Sequence, residues 1–217
     1  MPENSTLRRT VQTPYGFLSY GRTPQVPDTH RPPDSGLIRL HDKLSEDVMA
    51  LTDLQMGRTA VYLDRRTMLG SQWKDELKRH LAECQVLIPV LSPRLFASRW
   101  CAVEWQCFEL RQQLQRDKGA FTRNAIVPVL WIPMDHKEIP SPYADVQYTH
   151  EGMGHSYEGS GLYGLLSNGR HTTFNRVIYQ LARHIVEVAV SARLEPCDPA
   201  LFDDLFDSLD SSAGQEH

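Results

Sequence analysis

The stretch QVLIPVLSPRLFASRWCAVEW (85–105) carries, directly after Gln85, six consecutive apolar residues, Val86 to Leu91, with no polar residue among them. A strand with one face in water alternates apolar and polar residues, so this run predicts a strand covered on both faces. It is followed at once by Ser92 and Pro93, an N-cap residue and a proline at the first helical position, which turn the chain directly into a helix. A doubly covered strand feeding a helix is the repeating unit of a parallel sheet.

The same grammar recurs on either side. YGFLSY (15–20), TAVYLD (59–64) and AIVPVLW (125–131) are short β-branched or aromatic runs bounded by Gly, Pro or charge, and read as strands. In SQWKDELKRHLAEC (71–84), Trp73, Leu77 and Leu81 recur every four residues with charge on the other face, which predicts an amphipathic helix. SGLIRLHDKLSEDVMALTDL (35–54) and FNRVIYQLARHIVEVAVSARL (174–194) carry the same pattern. The expected fold is α/β: an open, flavodoxin-like parallel sheet of about five strands with helices on both faces. The expected divisions are an N-terminal arm (1–13), one domain (14–194) and an acidic C-terminal tail (195–217).

Size and charge narrow the function. The chain has 217 residues, consistent with one domain plus short tails. AIVPVLWIPM (125–134) and VLIPVL (86–91) are far shorter than the ~18–20 apolar residues that cross a bilayer, and the amino end lacks a secretory pattern, so a cytoplasmic protein without membrane contact is expected. The formal charge is -4, but seven acidic residues and no Lys or Arg follow Arg193; without them the body is near +3. That weak positive balance has no Lys/Arg run and gives no support for nucleic-acid binding. Four cysteines (84, 101, 107, 197) have neither zinc spacing nor disulfide density and read as reduced core or boundary residues.

Open parallel sheets bind ligands beyond the carboxyl ends of their strands, which directs attention to the loops after Tyr20, Asp64 and Ser92. FLSYGR (17–22), the pattern D-x5-G-x2-W from Asp64 through Gly70 to Trp73, and VLIPVLSPRLFASRWCAVEW (86–105) together resemble the Toll/interleukin-1 receptor (TIR) domain of bacterial type. The resemblance runs from about 14 to 109, and the sheet and last helix continue it to about 194. Within the family the chain is similar to stand-alone TIR-like proteins of the FxsC type, in which VQYTHEGMGHSYEGSGLYGLL (146–166) is also at home.

The resemblance implies a chemistry. Many TIR domains cleave NAD+ between nicotinamide and ribose with a Glu in a W-x3-E motif, which Trp100 to Glu104 match residue for residue. Positions i and i+4 share a helix face, so Trp100 and Glu104 can meet one ligand. It further implies substrate contacts from Ser19, Tyr20, Gly21 and Arg22, with the diphosphate taken by Arg22 or the amides of 19–23. The loop carrying Asp64, Arg65, Arg66, Gly70 and Trp73 is implied to mediate assembly into a homo-oligomer. NAD+ would be a substrate; no cofactor and no metal are expected. The competing reading is a non-catalytic adaptor that uses the same loop for homotypic contacts, with Glu104 a solvated residue complementing the helix dipole. A nucleoside or nucleotide N-glycosidase of related fold is a third.

Other motifs lead nowhere catalytic. GSGLYG (159–164) has the letters of a dinucleotide-binding fingerprint but lies in a Gly-rich connection between Val146 and Arg170, read as a long loop, not directly after a strand. His150 and His155 are five apart, a spacing that suits no metal site, and Ser92 lacks the G-x-S-x-G elbow. In the tail, Leu201, Phe202, Leu205, Phe206 and Leu209 form an apolar face on a short helix that would be marginal alone. Either it docks on its own domain, a second subunit or a partner protein, or it stays a disordered solubilising segment.

Overall fold

The computed structural model describes residues 14–23, 34–55, 59–64, 71–119, 123–135, 139–146 and 152–213. Four strands, β1 (Gly16–Ser19), β2 (Val61–Leu63), β3 (Val86–Leu91) and β4 (Val129–Leu130), pair in parallel in the order β2-β1-β3-β4. Every residue of β1 and β3 is buried, as an unalternating apolar pattern requires. Two groups of helices supply the cover. Helix α1 (Ser35–Leu51) packs on α6 (His171–Ala192), and α6 on α5 (His155–Ser167); α2 (Ser71–Glu83) packs on α4 (Arg99–Asp117), and α4 on α7 (Asp203–Ala213). The fold is the expected flavodoxin-like α/β architecture.

Three features differ from expectation. The sheet has four strands among the described residues, not about five. After β4 the chain meets Pro133, Pro140 and Pro142, which have no amide to give a ladder, and forms a 3-10 turn at Tyr143–Asp145. Pro128 likewise divides the run 125–131: Ile126 makes an isolated bridge to Leu87, and the paired strand begins only at Val129.

The second difference lies after β3. Ser92 does cap a helix, accepting from the Leu95 amide at 3.2 Å, but that helix is the short α3 (Pro93–Ala97). A second cap, Ser98, accepts from Cys101 N at 3.3 Å and starts α4 in a new direction.

The third corrects the reading of 147–170 as a loop. Residues His155–Ser167 form α5, interrupted at Gly161 (φ 61°, ψ 175°), so GSGLYG lies inside a helical segment. A β-carbon on Gly161 would stand 2.4 Å from the Trp131 carbonyl oxygen, and Tyr163 N donates to that oxygen at 2.9 Å. Glycine thus lets α5 abut the carboxyl end of β4, where the buried Tyr157 hydroxyl accepts from Leu130 N at 2.7 Å.

The tail docks on its own domain. Phe202, Phe206 and Leu209 are buried against the α2/α4 surface, and Lys78 binds Asp203 at 2.7 Å. At its root, the buried guanidinium of Arg111 donates to the carbonyls of Leu81, Cys84 and Glu195 at 2.6, 2.8 and 3.0 Å. Gln115 adds bonds to Arg193 O and Glu195 N. Cys84, Cys101 and Cys107 are buried free thiols and Cys197 is half-buried. Among the described residues, no helix is long and apolar enough to cross a membrane.

Candidate active site

Because the strands are parallel, Ser19, Asp64 and Ser92 emerge on one edge of the sheet. Helix α4 crosses that edge and brings Glu104 over the end of β1. Glu104 is 5% exposed and Ser19 3%, and the Ser19 hydroxyl donates to Glu104 Oε2 at 2.5 Å. A carboxylate out of water needs such a donor, since burial without hydrogen bonds costs several kcal/mol, roughly. The negative charge is felt nearby. Burial above all, with Cys101 and Glu104 next, pushes the Tyr143 phenol up to about 12. Burial and then Glu104 also push the Cys107 thiol up.

Glu104 borders a cavity of about 280 Å3 lined also by Tyr20, Arg22, Asp64, Arg94 and Trp100. Trp100 is half-buried and wedged between two aromatic rings, Trp73 at 4.9 Å and Phe206 of the tail at 6.0 Å, both edge to face. The neighbouring Trp105 is core, with its ring 4.5 Å from Tyr143.

Asp64 is the hub of the opposite wall. It is 6% exposed; its carboxylate accepts from Trp73 Nε1 at 2.9 Å and from Arg22 Nη2 at 3.2 Å. Its carbonyl accepts from Arg22 at 3.1 Å and from the Tyr20 hydroxyl at 3.4 Å. Two sets that the sequence kept apart, the 19–22 substrate set and the assembly loop, are therefore joined through Asp64. Arg65, Arg66 and Gly70, also assigned to that loop, lie outside the described residues.

The remaining expected contacts fall elsewhere. Ser19 sits behind Glu104 and holds it, without lining the cavity. Gly21 is a packing point: a β-carbon there would be 2.2 Å from the Arg94 carbonyl carbon and 2.4 Å from Leu95 N, so glycine alone lets the exit of β1 press on α3. Arg94, Ser98 and Phe206 were not foreseen. Arg94 and Ser98 lie within the quoted 85–105 stretch, but only its Trp and Glu stood out, and nothing local marks Phe206 as a neighbour of Trp100.

A desolvated carboxylate beside an aromatic ring on one wall of a small cavity is suited to stabilising a cationic centre. A family model described as TIR domain matches residues 50–163, from the end of α1 into α5, and so includes Asp64, Trp73, Trp100 and Glu104 but not β1. No curated protein and no solved structure matches the chain. With just over half its length matched and a four-stranded parallel sheet wrapped by helices, the chain belongs to the TIR domain family.

Proposed function

We propose that this TIR domain is an NAD+ glycohydrolase that breaks the bond between nicotinamide and ribose. The observation that carries the reading is the position of Glu104: almost fully buried, held by Ser19, and opening with Trp100 onto a cavity at the carboxyl edge of the sheet.

The substrate's own charge explains why one carboxylate is enough. Ordinary glycosidases require an acid to protonate the leaving group and a second carboxylate across the sugar. Nicotinamide in NAD+ already bears a positive charge; when the C–N bond breaks, its electron pair returns to the ring nitrogen and the base departs neutral. The ribose is left as an oxocarbenium-like cation beside Glu104, whose fixed negative charge stabilises it. Water adds to the anomeric carbon and gives up a proton, yielding ADP-ribose; attack by a group within the substrate would yield a cyclic form. Trp100 supplies a flat wall for the base or sugar, and Arg22, anchored by Asp64, a cation at the cavity rim.

This reading includes self-association of a cytoplasmic, stand-alone bacterial TIR protein, with the 64–73 segment of one protomer completing the pocket of another. Concentrated or crowded protein incubated with NAD+ is expected to release nicotinamide. Glu104→Gln, matched in size, is expected to lower the rate by about 10²–10³-fold while leaving the circular dichroism spectrum unchanged. Equal turnover in the two proteins would leave the domain as an adaptor.

A further inference from the structure

The Glu104 cavity, at about 280 Å3, falls below the ~300–1,000 Å3 usual for small-molecule sites, room for a nucleoside but not for a whole dinucleotide. A larger one, about 610 Å3, lies across the wall made by Tyr20 and Arg94, which line both. Its apolar lining includes Leu37, Trp131, Ile132 and Tyr163. The Trp131 and Tyr163 rings stand 5.8 Å apart and tilted by 50°, and Tyr163 is 52% exposed. Among the described residues, neither the Trp131 indole N–H nor the Tyr163 hydroxyl has a hydrogen-bond partner, and Arg94 forms no hydrogen bond or ion pair. The Gly161 break in α5 brings these two rings together, which gives GSGLYG a task different from the one its letters suggest.

Resting on the hydrolase reading, we propose that this second cavity receives the adenosine half of NAD+. The adenine packs against Tyr163 and Trp131, and the diphosphate crosses the wall beside Arg94. Arg94 suits that place better than Arg22 because the Arg22 guanidinium is already committed to Asp64. Stacking on an aromatic face accepts any planar base, and the unpaired guanidinium matches two phosphate charges.

The test compares NAD+ with nicotinamide mononucleotide, which lacks the adenosine half, and titrates ADP-ribose by calorimetry into the Glu104→Gln protein. Tyr163→Ala and Arg94→Ala, both at exposed positions, are expected to weaken ADP-ribose binding by about tenfold each. They should also raise KM for NAD+ relative to KM for the mononucleotide by about the same factor, and Tyr163→Phe should restore most of the loss. Equal KM shifts for both substrates, unaltered ADP-ribose binding in the variants, or no ADP-ribose binding at all would overturn the proposal. If wild-type protein turns over neither substrate, the hydrolase reading fails by itself. Titration of NAD+ and ADP-ribose then still decides the cavity: binding that Tyr163→Ala weakens upholds a nucleotide site, and absent binding rejects it.

Discussion

Replacing Phe206 by Ala tests whether the C-terminal helix is held by its apolar face alone. Phe206 is 2% exposed, packs edge to face on Trp100 at 6.0 Å, and has the Lys78 ammonium 5.9 Å from its ring centre. Truncating a buried Phe costs about 3–5 kcal/mol, of which the aromatic pair supplies roughly 0.5–1.5. Helix α7 has 11 residues, below the ~12–15 at which an isolated helix becomes even marginal, so an undocked α7 also melts. Taking the lower figure, the undocked population rises by roughly 100-fold, at tenfold for every ~1.4 kcal/mol. Amide hydrogen exchange reads this directly: protection at Leu205 and Phe206→Ala should fall by about that factor, while Val86–Leu91 in β3 keep theirs. Leu201→Ala, 48% exposed on the same segment, is the control and should change protection only slightly. Unchanged protection in F206A would refute the docking energetics, and an equal loss in β3 would refute the separability of tail and core.

Two further outcomes are expected. Gly21→Ala places a β-carbon 2.2 Å from the α3 backbone, which must retreat by more than an ångström; overpacking of this kind costs about 1–3 kcal/mol and should show as a lower thermal midpoint, whereas a wild-type midpoint would contradict the packing role. Burial, and after it Arg79, lowers the His80 pKa, and burial with Arg123 lowers that of His184. Both rings are neutral in the fold and their contribution is complete above the unfolded value of about 6.5. As pH falls below it, the unfolded chain binds protons first, so the urea midpoint should decline between pH 7.5 and 5.5, less steeply in His80→Phe; a flat profile would contradict this.

Periodicity alone located the elements whose faces are simple. β3 was legible because six unbroken apolar residues end at a Ser-Pro pair, and α2 because Trp73, Leu77 and Leu81 mark one stripe. Helix α5 was not, since Gly159, Gly161 and Gly164 lower helix propensity and its order depends on the remote backbone of β4. The buried set Tyr157, Gly161, Leu162 and Leu165 did carry a helical spacing, masked by glycine. At the site, Trp100 and Glu104 were legible as one helix face. The Ser19 to Glu104 bond spans 85 positions, and the Phe206 contact joins chain segments still farther apart, so no local pattern could announce either.

The Arg111 guanidinium gives the tail two unequal ends. Pulling Glu195 away would take one carbonyl from a buried cation, whereas the segment beyond it is held by apolar side chains, Phe202, Phe206 and Leu209 among them, and by the Lys78–Asp203 ion pair. A mechanical load on the carboxyl terminus should therefore peel the segment back toward Asp198 and stall there, making the root a fixed hinge and the helix a removable flap.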